Sequence, residues 1–308
     1  MSESGHDSNQ QQPPTKRNIG PVLCGTLVTG DLELIINAYQ GWLDMAVSEQ
    51  GVLPEALASG WAMPSLAGQR YALLTSRSGA SWLRVIEQPG CAPAEPVASL
   101  GWLSLEVLVE DVFKLAERLR ESPFRFIGEP AKLDVSDSIT ACQVVGPAGE
   151  VLYLTAVASP VPPFELPVAT AFVDRLFIPV MAVPERASAM HYYETADNFK
   201  ALAFDTKVTV INRSLGKPIE RRIPVCTLQL DHESLIEIDE VSEFPARAVL
   251  PSGLVAGIAV VSFLVDSFEQ IPGQPLAPVF TLDDGFYQGR RAALYRGPAG
   301  ELVEFIER

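Results

Sequence analysis

Residues 139–157 read Ile-Thr-Ala-Cys-Gln-Val-Val-Gly-Pro-Ala-Gly-Glu-Val-Leu-Tyr-Leu-Thr-Ala-Val, two apolar runs around a Gly-Pro-Ala-Gly-Glu turn at 146–150. The same pentapeptide returns at 297–301, between the runs 291–295 and 302–306. Identical turns about 150 residues apart in a chain of 308 indicate an internal duplication, and a duplication fixes architecture before any single residue does. The copies diverge just beyond the turn. Three residues after the last Glu the first copy has Tyr153 and the second has Glu304.

Composition narrows the rest. The length suits two units of roughly 150 residues, and 47% apolar with 20% charged residues describes a packed chain. A net charge of −15 argues against nucleic acid, whose phosphates need clustered Lys and Arg. No apolar run is long enough to span a membrane. Residues 1–19 are expected to be a disordered tail, Ser/Gln/Pro-rich and without a signal-peptide core. Cys24, Cys91, Cys142 and Cys226 show no CxxC spacing and suit free thiols in a reducing cytoplasm. Histidine is limited to His6, His191 and His232, so a metal centre built on several imidazoles is hard to assemble. A Ser-His-Asp triad lacks its Gly-x-Ser-x-Gly elbow.

Four similar blocks follow one another, each a strand, a helix and two or three strands. The first has strands at 21–28, 71–75 and 81–87, with Asp31 capping a helix over 32–43. The second has strands at 102–109, 124–128, 139–145 and 151–157, and a helix at 112–120 after Asp111. The third has strands at 174–182, 208–211, 224–230 and 234–238, and a helix from Pro184 to about Thr195. The fourth has strands at 257–265, 279–282, 291–295 and 302–306 and a short helical turn after Asp266. The Pro-rich stretch 158–171 reads as a linker, so modules are expected at 20–157 and 172–308. The connection 41–68 is too long for a plain loop and is expected to hold a short helix or a cover, with Trp42, Trp61 and Met63 as apolar contacts.

Four βαβββ units paired into two modules, an α+β fold with curved mixed sheets, resemble the vicinal oxygen chelate superfamily of glyoxalase I, bleomycin-resistance proteins, fosfomycin-resistance enzymes and extradiol dioxygenases. The resemblance is carried by the strand–helix openings (22–31 with Tyr39, 177–184 with His191 and Tyr192) and by the two turns, which match the family's turn leading to a ligand Glu. It implies that each module folds into a cup that commonly holds a divalent metal on its first, fifth and last strands. Carried onto this chain, those positions are Cys24, Ser104 and Tyr153 in the first module and Phe177, Ala259 and Glu304 in the second. Only Glu304 is a usual ligand, and neither Phe177 nor Ala259 has a lone pair to give; the expectation is no metal and no cofactor.

Strand alternation then assigns faces. Cys24, Thr26, Trp102, Ser104, Glu106, Tyr153 and Thr155 are expected in a first, polar and aromatic cup. Arg175, Phe177, Ala259, Phe263 and Glu304 are expected in a second, mostly apolar one. A carboxylate among apolar side chains is suited to proton transfer near neutral pH, so Glu304, or Glu106 with Tyr153, are the candidate catalytic groups. Trp102, Ser104, Cys24, Thr26, Arg175, Phe177 and Phe263 are the candidate substrate contacts. Each has a plainer reading: Glu304 as an ion-pair partner of Arg175, Arg290 or Arg291, Tyr153 and Trp102 as packing, and Cys24 as a buried thiol. His232 reads as an exposed hairpin residue and the acidic run 237–243 as a solvated loop.

Three functions stay open. One is a metal-independent lyase or isomerase acting on a small, largely apolar aromatic or carbonyl-containing metabolite. Another is a binding protein that sequesters such a molecule. The third is a divalent-metal enzyme with atypical ligands. The expected partners are that small molecule and, as an option, a second copy of the chain in a homodimer; nucleic acid and membrane are not expected.

Overall fold

The computed structural model describes residues 16–133, 136–283 and 285–308. The first unit comprises β1 (Ile19–Thr29), α1 (Leu32–Leu43), β2 (Ala46–Val52), α2 (Glu55–Gly60), β3 (Arg70–Thr75) and β4 (Leu83–Glu87). The second comprises β5 (Gly101–Val109), α3 (Val112–Leu119), β6 (Arg125–Leu133), β7 (Ser136–Val145) and β8 (Val151–Val157). In the third are β9 (Val173–Val183), α4 (Arg186–Asp197), β10 (Leu202–Lys207), α5 (Thr209–Ser214), β11 (Arg222–Gln229) and β12 (Leu235–Glu240). The fourth has β13 (Gly257–Val265), β14 (Phe280–Thr281), β15 (Arg291–Arg296) and β16 (Leu302–Glu307). The expected tail lies outside the described residues over 1–15, while Asn18 is buried and donates to Ala196 O and Ser267 O.

Acidic caps set the start of α1 and α3. Asp31 and Asp111 each accept a backbone N–H, from Leu34 and Lys114, at 3.0 Å, the bond an N-cap supplies to an orphan donor. Residues 208–211 correct the strand expected there. The β-branched run Val-Thr-Val-Ile enters α5 because Val210 and Ile211 then bury against Ile223 and Val225, and the edge strand is formed earlier, by β10. The connection 41–68 holds β2, α2 and a 3-10 turn at Pro64–Leu66, in keeping with its composition.

Two eight-stranded sheets result. The first runs β14-β15-β16-β13-β1-β4-β3-β2 and the second β10-β11-β12-β9-β5-β8-β7-β6. Units one and four therefore share a sheet, joined by the antiparallel pair β1–β13, and units two and three share the other through β5–β9. Each sheet takes one unit from residues 20–157 and one from 172–308. The convex faces pack with α1, α3 and α4 into one continuous core, including Leu27, Leu105, Met181, Phe263 and Phe305. The Leu105 side chain packs directly on the β1 backbone: a Cβ on Gly25 would lie 2.4 Å from Cδ1 of Leu105 on β5.

The duplicated turns lock this arrangement. Gly149 and Gly300 hold φ of +79° and +81°, a left-handed backbone that glycine adopts without cost. At Gly146 and Gly297 a Cβ would fall 1.9 Å from a carboxylate oxygen of Glu150 and Glu301. Each Glu thus folds back over its own turn and accepts the N–H of Ala148 or Ala299 at 2.8 Å. The other oxygen of each accepts a phenol at 2.8 Å, from Tyr39 on α1 for Glu150 and from Tyr193 on α4 for Glu301. A helix of one sheet is thereby fastened to a turn of the other, twice.

Candidate functional site

The concave face of the first sheet is filled by the chain itself. Leu53, Leu57, Trp61, Met63 and Leu66, from α2 and its flanks, pack against Val28, Ile86, Ala259, Val260, Leu302 and Ile306. Gly60 permits this, since a Cβ there would sit 2.2 Å from Cδ1 of Phe280. Only about 10 Å³ remains open beside Arg84 and Tyr287, room for one water at most.

Glu304 lies under that plug, fully buried. Its Oε1 accepts Trp61 Nε1–H at 2.8 Å and Tyr287 O–H at 2.6 Å, and Oε2 accepts Ser262 O–H at 2.6 Å. The Arg84 guanidinium on β4 stands 3.5 Å from Oε2, inside a cage of Trp61, Phe286 and Tyr287 rings. Glu304 does point into a cup, as alternation requires, but its cation is Arg84 and none of Arg175, Arg290 or Arg291. Cys24 and Thr26 share this cup. Burial pushes the Cys24 thiol up to about 12 against the opposing effect of Arg84, so it stays protonated and weakly nucleophilic.

The second sheet keeps its cup open. A cavity of about 620 Å³ is lined by Phe126, Ile127, Phe204, Val210 and Val225 on its walls. Glu106 of β5, Tyr153 of β8 and Glu237 of β12 line its floor. Glu106 and Tyr153 are direct neighbours across the parallel pair β5–β8. Ser104, Val180 and Glu237 lie abreast on β5, β9 and β12, so two strand spacings, roughly 9.5 Å, separate the two carboxylate-bearing strands. Burial raises the Glu106 carboxyl to about 8, with the Glu237 charge adding to the effect. Glu237 and Asp239 are raised by burial too, and Asp239 further by Glu237. Tyr153 is shifted well above the ordinary phenol range, by burial first and then by the Asp239, Glu237 and Glu106 charges. Its hydroxyl is buried beside that of Ser104, which acts weakly in the opposite direction, and it meets no partner at full hydrogen-bond geometry. A buried phenol without a well-formed hydrogen bond, beside a half-neutral carboxyl, is costly to the fold and is a ready donor to a ligand oxygen.

The expected cup contents need correction in four respects. Cys24 and Thr26 do not join Ser104, Glu106 and Tyr153, because units pair crosswise. Trp102 leaves the cup: a register shift between Trp102 and Ser104 turns its indole into the inter-sheet core, where Nε1–H donates to Leu302 O at 2.8 Å. Phe263 also lies in that core, its ring 6.2 Å from Trp102. Arg175 forms a surface pair with Glu233 at 3.2 Å, while Phe177 packs with Leu108, Val180 and the linker residues Phe164 and Leu166. The acidic run is corrected as well, since Glu237 and Asp239 belong to β12 and Asp239 is wholly buried. His232 is exposed in its turn, at φ 54°.

Arg84, Ser262 and Tyr287 were not singled out by sequence, Trp61 only as an apolar contact of the cover, and Glu237 and Asp239 only within an acidic loop. Three of these had a usable signal. Leu83 and Val85 alternate with Arg84, and Ile236 and Ile238 alternate with Glu237 and Asp239, which sets the charged residues on the concave faces.

A family-type metal does not fit either cup. In the first, the strand positions that face one another carry Cys24, Arg84, Ser262 and Glu304. A guanidinium has no lone pair and repels a cation, and the thiol is held protonated. In the second, Val180 stands between Ser104 and Glu237. No group of three or more His, Cys, Asp or Glu suited to an ion occurs among the described residues.

No protein-family model matches the chain, and no curated protein matches it. Solved structures do. Glyoxalase I from Zea mays aligns over 93% of this chain and 92% of its own, at 16% identity and a TM-score of 0.61. A putative dioxygenase from Bacillus subtilis aligns over 95% and 86%, at 10% identity and a TM-score of 0.63. The likeness extends through both modules. No helix of the described residues is long and apolar enough to cross a membrane.

Proposed function

From a chain that carries the vicinal oxygen chelate fold, we propose a metal-independent enzyme of the lyase or isomerase type, working in the cup of the second sheet. The substrate is a small, largely apolar metabolite with an aromatic or carbonyl group. The observation that carries this reading is the pairing of Glu106 with a Tyr153 hydroxyl that lacks a well-formed hydrogen bond, at the floor of a roomy cavity with apolar walls. A substrate carbonyl placed against Tyr153 receives its hydrogen bond. The Glu106 carboxylate then removes a proton from the adjacent carbon, and the phenol stabilises the enolate that forms. Return of the proton to a different carbon completes an isomerisation, whereas loss of a β-substituent with its electron pair completes an elimination. Glu304 is not assigned this role, since three hydrogen bonds and Arg84 already hold it under the Trp61 plug.

The test is α-hydrogen exchange. A panel of aryl ketones and enones is incubated with the protein in heavy water and followed by proton NMR. Deuterium uptake at the α-carbon that is lost in Glu106→Gln, with binding retained, is the expected result. Tight binding with no exchange by the unaltered protein would sink the enzyme and leave a sequestering protein. Exchange unchanged in Glu106→Gln would remove Glu106 as the base.

A further inference from the structure

Floor and mouth of this cavity differ in charge. The floor holds Glu106 and Glu237, whereas three cations line the rest, Lys132 on β6, Arg213 on α5 and Lys207 on β10, the last paired with Glu220 at 3.3 Å. In a chain of net charge −15 that is a local reversal. The fold does not use up Lys132 or Arg213. The Lys132 side chain is 63% exposed, and the carboxylate of Asp137 is 4.0 Å away and itself 95% exposed, a pairing worth little in water. Arg213 donates one N–H to the Ile127 carbonyl at 3.1 Å, which leaves most of a guanidinium's donors for other partners. The rim's Glu129 is already paired, with Arg120. Thr206 and Thr209 bring hydroxyls to the same side.

We propose that the substrate is amphiphilic: an aromatic or carbonyl-bearing body on a side arm that ends in a carboxylate, which Lys132 and Arg213 receive at the mouth while the carbonyl reaches Tyr153. The inference rests on the cavity being the active site, and it adds a substrate class and an orientation. The carboxylate end is turned away from the floor, where Glu106 and Glu237 repel an anion whenever either is ionised. It is drawn to the mouth by two cations, one of which can grip it through two parallel N–H···O bonds. Opposite charges at the two ends of one apolar cavity thus select which end of the molecule enters first.

Matched probes separate the arm from the body. ω-Benzoylalkanoic acids of three to six chain carbons are compared with their primary amides by titration calorimetry, at low and at 0.5 M salt. The expected result is that the best acid binds about tenfold more tightly than its amide at low salt, a gap that closes as salt screens the mouth. In Lys132→Gln and in Lys132→Gln/Arg213→Gln the gap should shrink stepwise to within about twofold, chiefly through weaker binding of the acid. The single variant alters an exposed side chain and keeps the test independent of folding. Equal affinity of acids and amides overturns the proposal, as does a gap indifferent to both variants and to salt, or a failure of every acid to bind at millimolar concentration. Turnover is not the readout. A protein that prefers acids but exchanges no α-hydrogen loses the enzymatic reading alone, and one that exchanges hydrogen on neutral ketones without preferring acids loses this inference alone.

Discussion

Glu106 and Tyr153 illustrate how one strand pairing sets two protonation states. Both are buried on the same floor, yet burial acts oppositely on their usefulness. The carboxyl, raised to about 8, is held where ionised and neutral forms coexist near neutrality. The phenol, raised well above its ordinary range, remains a donor throughout. A base that must be ionised gives a rate that climbs with pH, about tenfold per unit below its pKa, and levels off above it. The α-exchange rate should therefore rise from pH 6 and flatten near 8, and a flat profile over that range would exclude Glu106 as the titrating base. Tyr153→Phe should lower the plateau by roughly 10²-fold, as removal of one oxyanion donor does, without moving the inflection. Alternation along β5 and β8 was enough to place these two side chains together. Trp102, only four residues away, escaped the same rule, because a bulge shifts register and turns the side chain over; nothing in local composition marks that bulge.

At the scale of elements, α2 explains why two similar cups differ. The first is closed by α2, between β2 and β3, while its counterpart in the second, α5 between β10 and β11, lines the cavity with Val210 and Arg213 and leaves it open. Trp61 fills the space and donates to Glu304 at 2.8 Å, so Trp61→Ala both empties a large volume and strips a buried carboxylate of a donor. The loss should be about 3–5 kcal/mol, read as a lower denaturant midpoint, with probe binding in the other cup unchanged. An equal loss of binding there would show that the cups are energetically one. The length of the 41–68 connection and its aromatic residues signalled a cover. What it covers was not legible, since periodicity gives the faces of strands and not the identity of their neighbours. The helix α5 was hidden for a related reason: β-branched residues favour strands locally, and burial of Val210 and Ile211 outweighed that preference.

For the molecule as a whole, the duplicated turns and the four strand–helix openings conveyed the architecture, but the crosswise pairing of units lies in long-range contacts that no window of sequence contains. Those contacts also bring many carboxyls out of water. Burial raises Glu150, Glu301 and Asp197 to about 7 and Glu106 to about 8. A carboxyl bound more tightly to its proton in the folded state adds stability that is complete below its unfolded pKa, near 4, and is lost as pH rises through the folded value. The melting temperature should thus fall between pH 5 and pH 8, each carboxyl contributing on the order of 1–3 kcal/mol. Glu150→Gln and Glu301→Gln should flatten that slope, and a melting temperature that rises over the interval would contradict the protonated floor and locks. The crosswise sheets have one more consequence, for synthesis on the ribosome. Units two and three are consecutive, so the second sheet has all its strands once about 240 residues have been made. The first sheet joins β1 to β13 and must wait for the last unit to emerge, with the strands of unit one paired among themselves but the outer edge of β1 open until then. The half that carries the open cup can form early, and the plugged half closes the chain, so a nascent protein halted before β13 would hold its cavity-bearing sheet beside a four-stranded unit whose β1 edge has no partner.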